Sequence, residues 1–333
     1  MNKSNRFKGI LVVVITSSMF AACTSKPQVK DDGTLSTVSI NGRALTVCDI
    51  SKVKDTLEIP LSEWVEDFQI VRFEDKDTAM DIRSGYVMGD EQLHGMKMLN
   101  NFPHNTEKGL QPFNGIMLVY DSNTGIPAGV MDASYITCMR TGAAGAVGAD
   151  ALARKDARTL MLLGAGKQAP FQIAATLILR PEINKVYIVD PVNYPQACGL
   201  AERIKDQLAD EFDVDACGVE FIAEESTEKA VRDSDIIITV TRATKPMIMK
   251  DWLKPGTHLS CIGSDMEGKE EIDPNIFKDA RVYTDDKAQC VRVGEIEIPI
   301  KSGVMKESDI AGEIGDLLSG KVSGRQSDTE TTV

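Results

Sequence analysis

Histidine is scarce in this chain: His94, His104 and His258 are the only three in 333 residues. No two stand at ligand spacing and no Cys-x-x-Cys occurs, so the sequence offers no zinc site. Aromatic residues are also few, at 5%. Positive charge is in deficit, because 37 Lys and Arg against 50 Asp and Glu leave a formal charge of −13. A nucleic-acid surface needs a basic face, which this balance argues against. Seven scattered cysteines, an odd number, do not make a disulfide framework, and reduced, mostly buried thiols are expected. Beyond the N-terminus no apolar run approaches the length of a membrane span, so the body reads as soluble. What is present is an ordinary globular composition, 42% hydrophobic and 26% charged, which excludes a disordered chain. The length favours two domains over one.

The first residues differ from the rest. Lys3, Arg6 and Lys8 precede an apolar stretch, Ile10 to Phe20, too short to span a bilayer. This pattern fits a signal peptide better than a transmembrane helix. The stretch ends in Ala21-Ala22-Cys23, which resembles a bacterial lipoprotein signal with Cys23 as the lipidated residue; the alternative is a buried strand with an incidental cysteine. Residues 1–23 are thus read as a leader peptide and 24–81 as a segment of foreign character, similar to a Bacteroides-type lipoprotein N-terminus. Within it, IPLSEWVEDFQIVRFED (59–75) alternates enough to suggest a strand. A junction is expected near 76–82. No blade-length repeat recurs downstream, so no propeller follows.

The body carries a more specific pattern. GIMLVY (115–120) and IPAGVM (126–131) read as strands joined by a turn at 121–125, and the Ala/Gly-rich run 133–155 reads as a helix suited to close approach. Then TLMLL (159–163), the turn Gly164-Ala165-Gly166-Lys167-Gln168-Ala169, a helix at 170–180 and the strand KVYIVD (185–190) follow in order. Strand, glycine turn, helix, strand and terminal acid are the context a dinucleotide fingerprint requires. Gly164 permits the tight turn, Gly166 lets backbone approach a pyrophosphate, and Ala169 lets helix pack on strand. The helix N-terminus offers N–H donors to phosphate. Asp190, 24 residues beyond Gly166, stands where a ribose-binding acid belongs. Its carboxylate would repel a 2′-phosphate and PVNYPQ after it holds no Lys or Arg, so NAD(H) is expected over NADP(H).

Alternation continues with a helix at 197–210, a strand at 217–223, a short helix at 226–234 and strands at 235–241, 257–263 and 280–285. About six strands with helical crossovers predict an α/β, Rossmann-type doubly wound parallel sheet. Ligands lie at the carboxyl ends of such strands, where Thr239, Thr241, Gly263, Ser264 and Asp265 fall. For the two threonines plain β-propensity is an equal explanation.

Four segments, GMKMLNNFPHN (95–105), GLQPFNG (109–115), ITCMRTGAA (136–144) and IGSDMEGKEEIDP (262–274), occur in order with the GAGKQA turn. Together they resemble the ornithine cyclodeaminase/mu-crystallin family over about residues 82–333. The resemblance implies an NAD-dependent enzyme acting at an amine or imine carbon of a small amino acid: ornithine cyclodeamination to proline and ammonia, ketimine reduction, or amino-acid dehydrogenation. It assigns Lys97 and Arg140 to the substrate carboxylate, Thr141 to the phosphate side of the cofactor, and Asp265 to acid–base catalysis, with Lys97 also counted catalytic. Gln111 and Asn114 either line the substrate site or hold a loop; Lys269 and Glu271 are structural or surface residues in the simpler reading. His94 and His104 receive no role.

The resemblance further implies an incomplete α+β substrate and dimerisation domain at 82–150, the NAD-binding domain at 151–310 and a truncated C-terminal segment at 311–333. The family's own N-terminal segment, which supplies another carboxylate-binding arginine, is replaced by the leader; Arg72 lies 25 residues before Lys97 but is not assigned. A homodimer is implied where the domain is complete enough. A non-catalytic mu-crystallin-like binding protein, or an inactive lipid-anchored remnant, remains the alternative. The leader points to the cell envelope and NAD chemistry to the cytoplasm.

Overall fold

The computed structural model describes residues 36–40, 43–47, 64–72, 78–87 and 93–333. Two compact units divide the chain at residues 1–140 and 141–333.

In the first unit β1 (Ser36–Ile40) and β2 (Arg43–Val47) form an antiparallel pair. A second, five-stranded antiparallel sheet has the order β3 (Trp64–Arg72), β4 (Ala79–Val87), β5 (Leu93–Asn101), β6 (Phe113–Asp121) and β7 (Pro127–Asp132). Strand β3 pairs with β4 from Trp64↔Val87 to Arg72↔Ala79, so the sheet runs through the junction expected at 76–82. Period-two burial is plain in β6, where Gly115, Met117 and Val119 are buried and their neighbours half-buried. The β6–β7 turn is held by the Asp121 carboxylate, which accepts from Asn123 N and Thr124 N, both at 2.9 Å, while Gly125 takes the positive φ of 70° that closes it. Asp132 then starts helix α1 (Ala133–Leu152), its Oδ1 accepting from Ser134 N at 2.9 Å and Tyr135 N at 3.0 Å. Ala133 and Ile136 of α1 bury Met117 and Val119.

In the second unit five parallel strands take the order β10 (Glu220–Ala223), β9 (Lys185–Val189), β8 (Thr159–Leu163), β11 (Ile236–Thr239), β13 (His258–Cys261). The order reverses between β8 and β11, the switch point where doubly wound sheets take ligands. Every residue of β8 and β11 is buried, as strands covered on both faces require. Helices α2 (Ala169–Leu179) and α3 (Tyr194–Phe212) contribute to the apolar cluster on one side, and α4 (Thr227–Asp233) to that on the other. Ser226 caps α4 by accepting from Lys229 N at 3.3 Å.

The expected sixth strand is displaced. β15 (Val282–Thr284) does not pair with β13 but with β16 (Ile310–Glu313). Residues 331–333 run between β13 and β15 instead: Leu259 N donates to Thr332 O, Arg281 N to Thr331 O and Tyr283 N to Val333 O, at 2.8–2.9 Å. Thr332 bridges both sides as an intervening parallel strand. The tail meets the backbone needs of both edges, which is why β15 stands one place further out. Among the described residues no helix is long and apolar enough to cross a membrane.

Candidate functional site

The nucleotide turn is built as its residue types require. Gly164 has φ of 105°, and an added Cβ would stand 3.0 Å from Val240 O. Its N–H donates to Val189 O at 2.8 Å, tying β8 to the end of β9. Gly166 is exposed, and a Cβ built there would meet nothing within 4 Å, so the space above it is open. Lys167 is exposed, Gln168 precedes α2, and Ala169 is fully buried against the core. Gln168 Oε1 is buried without a hydrogen-bond partner. The Asp190 carboxylate reaches back to accept from Ala165 N at 3.1 Å and also receives Val192 N at 3.2 Å and Asn193 N at 2.9 Å. About one of its four acceptor positions remains. Gln196, which sequence reasoning missed, donates to Ala165 O at 2.9 Å, so the Ala165 peptide is held from both sides.

The small residues of α1 serve close packing here. A Cβ on Gly142 would lie 2.5 Å from Phe171 O, and one on Gly145 would strike the Gln172 side chain. Gln172 Nε2 donates to Thr141 O at 2.9 Å. Thr141 thus starts the part of α1 that lies against α2.

At the carboxyl ends of β11 and β13 a buried acid organises the backbone. Glu271, in β14 (Glu270–Ile272), the parallel partner of β12 (Thr244–Ile248), accepts from Thr239 Oγ1 at 2.6 Å, Thr241 N at 2.6 Å, Thr241 Oγ1 at 2.8 Å and Gly263 N at 2.8 Å. Thr239, expected at the ligand end of its strand, is fully buried and gives its hydroxyl proton to Glu271. Thr241 is half-buried with its hydroxyl on the same carboxylate. Gly263 is glycine because a Cβ would lie 2.5 Å from Thr241 O and closer still to Glu271 Oε1. Burial pushes the Glu271 carboxyl up, against four hydrogen bonds that lower it.

Asp265 follows at once and is exposed, ion-paired with Lys269, whose Nζ also donates to Gly263 O at 3.1 Å. Ser264 donates to Glu295, a residue the sequence did not point to.

The first unit carries a cluster of cations. Lys97 is 7% exposed, and its Nζ donates to Thr137 Oγ1 of α1 at 3.4 Å. Arg140 lies three residues beyond Thr137, on the same stripe of α1. Register places Arg83 of β4 directly opposite Lys97 of β5. Arg83 was missed; its Nε donates to Asp81 Oδ2 at 2.8 Å, with Asp81 two residues away on the same strand face. Like charges directly opposite are unfavourable unless something neutralises them, and the Asp81 carboxylate on Arg83 is one group that does so. Such an arrangement suits an incoming carboxylate. Spacing alone carries no signal for Arg83, because strand register is what sets it opposite Lys97.

Gln111 and Asn114 are not part of this cluster. Gln111 is exposed, Asn114 Nδ2 donates to Gln111 O at 2.7 Å, and β6 alternation turns Asn114 to the sheet face opposite Met117, which is the Lys97 partner. They hold the loop ahead of β6. His94 stacks on Tyr120 at 5.3 Å between ring centroids and His104 pairs with Glu107 on the surface. Cys23 and the Arg72 side chain lie outside what is described.

The chain matches the model of the ornithine cyclodeaminase/mu-crystallin family over residues 55–333, so the likeness begins ahead of the residue-82 start read from the motifs. It is 35% identical over 241 residues to an alanine dehydrogenase of Archaeoglobus fulgidus, covering 72% of this chain and 70% of that protein. Among solved structures it is similar to the Delta(1)-pyrroline-2-carboxylate reductase of Thermococcus litoralis in complex with NADH and L-proline, with TM-score 0.74, 30% identity and 81% of each chain covered. It is likewise similar to an archaeal alanine dehydrogenase dimer with bound NAD, with TM-score 0.69, 32% identity, 82% of this chain and 79% of that one. With that extent of match behind the turn, the strand-end acids and the cation cluster, the chain belongs to the ornithine cyclodeaminase/mu-crystallin family.

Proposed function

We propose that this chain is an NAD-dependent oxidoreductase that transfers hydride at the nitrogen-bearing carbon of a small amino acid or cyclic imine. The observation that carries the reading is the pairing of Arg83 with buried Lys97, with Arg140 on the helix stripe that Lys97 touches. The relatives described above are a dehydrogenase and a reductase, which favours net hydride transfer over ornithine cyclodeamination.

The turn at 164–169 fits a dinucleotide. The open space over Gly166, the positive φ of Gly164 and the acceptor position left on Asp190 are what a pyrophosphate and a ribose hydroxyl need. Gly166, Lys167 and Gln168 would hold the phosphates and Asp190 the ribose. When bound, NAD supplies hydride acceptance and donation at carbon. The rest falls to the chain's own residues. Lys97, Arg83 and Arg140 hold the substrate carboxylate, and the planar guanidinium groups fix its plane. Asp265 takes a proton from, or returns it to, the substrate nitrogen, with Lys269 orienting its carboxylate.

A homodimer belongs to the same reading. The sheet face opposite Met117 and Val119 carries half-buried Met96, Met98, Ile116 and Leu118, an apolar surface that a second copy would cover.

The test is titration of NADH and NADPH into the purified chain, followed by absorbance assays with cyclic imines, 2-oxo acids plus ammonia, and amino acids. NADH binding with turnover of one such class is expected. Binding of neither nucleotide, or turnover that survives Lys97→Met unchanged, sinks the proposal.

A further inference from the structure

Asp265 sits on a short turn after β13, and each residue of that turn has an anchor. Gly263 N donates to Glu271 at 2.8 Å, Gly263 O accepts from Lys269 at 3.1 Å, and Asp265 N folds back onto Gly263 O at 3.1 Å. The middle residue is anchored differently. Ser264 Oγ donates to Oε2 of Glu295, just ahead of α5 (Glu297–Lys301). The other oxygen of Glu295 accepts from Glu271 N at 2.7 Å and Ile272 N at 2.8 Å. Glu295 is 7% exposed and Glu271 fully buried, so neither anchor is a surface contact. Burying an acid is costly unless its oxygens are hydrogen-bonded, as both oxygens of Glu295 are here. Burial, and then the neighbouring Glu271, push the Glu295 carboxyl up to about 7. Glu295 touches neither substrate nor cofactor residues, yet its side chain joins the backbone of β14 to the residue beside Asp265.

We infer that Glu295 is a positioning residue for the reaction: through Ser264 it sets the direction in which the Asp265 carboxylate points. The inference rests on the reading of Asp265 as the acid–base group. Ser264→Ala cuts this link and leaves the bonds of Glu295 to β14 intact. Glu295→Ala removes both, and Glu295→Gln preserves both in geometry, since its carbonyl accepts the two N–H groups and its amide can donate to Ser264.

Steady-state kinetics on the four combinations tests it. Ser264→Ala should lower kcat about tenfold, a misorientation effect, with KM and NADH affinity unchanged within about twofold. In the Glu295→Ala background Ser264→Ala should cost nothing further, because the pair acts as one unit. Glu295→Gln should recover most of the turnover. A role confined to holding the fold predicts lower melting temperature with kcat untouched. Unchanged kcat in Ser264→Ala, or multiplying effects in the double variant, overturns the inference. Should Glu295→Ala fail to fold, Ser264→Ala and Glu295→Gln still decide it. Amide hydrogen exchange over residues 262–269 supplies an arm free of activity. Faster exchange in Ser264→Ala but not in Glu295→Gln is expected, and equal exchange contradicts the link. If exchange behaves so while Asp265→Asn retains full turnover, the acid–base reading of Asp265 has failed, not the anchor.

Discussion

Thr332 joins the tail to the core of the second unit, and removing only its hydroxyl has a calculable cost. The residue is fully buried, and its Oγ1 lies 2.8 Å from His258 Nδ1, 2.9 Å from Arg325 Nη2 and 3.3 Å from Leu152 O. His258 Nε2 is 2.9 Å from Ser260 Oγ, whose own proton goes to Gly145 O at 3.0 Å. Ser260 therefore accepts from Nε2–H, and Nδ1 is an acceptor that needs the Thr332 proton. Burial, with Arg325 and Arg180 nearby, pushes the His258 pKa down to about 3, so the ring is neutral at ordinary pH. Thr332→Val keeps shape and strand pairing but leaves Nδ1 buried and unsatisfied, a loss of about 1–3 kcal/mol. Arg325 loses one acceptor but keeps Leu152 O at 2.7 Å, which adds about 1 kcal/mol. A total near 3 kcal/mol lowers the melting temperature by about 6–12 °C in a unit of this size. Urea unfolding of Thr332→Val, with Thr332→Ser as the control that restores the hydroxyl, measures it. A change below about 0.5 kcal/mol would refute the assigned proton arrangement.

Three further outcomes follow from the same geometry. Asp265→Asn keeps size but cannot accept a proton, so turnover should fall about 10²–10⁴-fold with NADH affinity little changed; full turnover in the variant removes Asp265 from the chemistry. Gly166→Ala meets nothing in the protein, so the melting temperature should hold while the NADH Kd, read by calorimetry, rises at least about tenfold as the methyl group occupies the phosphate approach; unchanged affinity would place the pyrophosphate elsewhere. His258 is neutral in the folded chain down to about pH 3 but protonates near its ordinary value of 6.5 when unfolded. Its contribution to stability is complete above pH 6.5 and declines as pH falls from there toward 3, by about 1.4 kcal/mol per pH unit; urea midpoints across that window should flatten in His258→Gln, and parallel curves would contradict the assignment.

Where strand, turn and helix chemistry agreed over a short stretch, the fold was legible. TLMLL, the glycine turn, the helix and KVYIVD declare themselves because each residue type has one local use: buried β-branched or aliphatic strand, positive-φ glycine, close-packed alanine. Arg83 was not legible, since its partnership with Lys97 depends on strand register, which sequence spacing alone does not set. Thr239 and Thr241 show the reverse problem. Their place at strand ends was right, but the acceptor that takes their hydroxyls, Glu271, stands some thirty residues away and reaches them only through the tertiary fold. The tail strand at 331–333 is three residues long, too short for any period to show, and it shifted β15 from the place the alternation predicted.

The most direct measurement of the central claim is isotope transfer. The purified chain is supplied with NADH deuterated at the carbon that carries the hydride, together with a cyclic imine carboxylate or a 2-oxo acid plus ammonia. The account predicts an amino-acid product with deuterium at its α-carbon, at a rate that collapses in both Lys97→Met and Asp265→Asn. A chain that binds NADH yet moves no deuterium to any nitrogen-bearing carbon would contradict it.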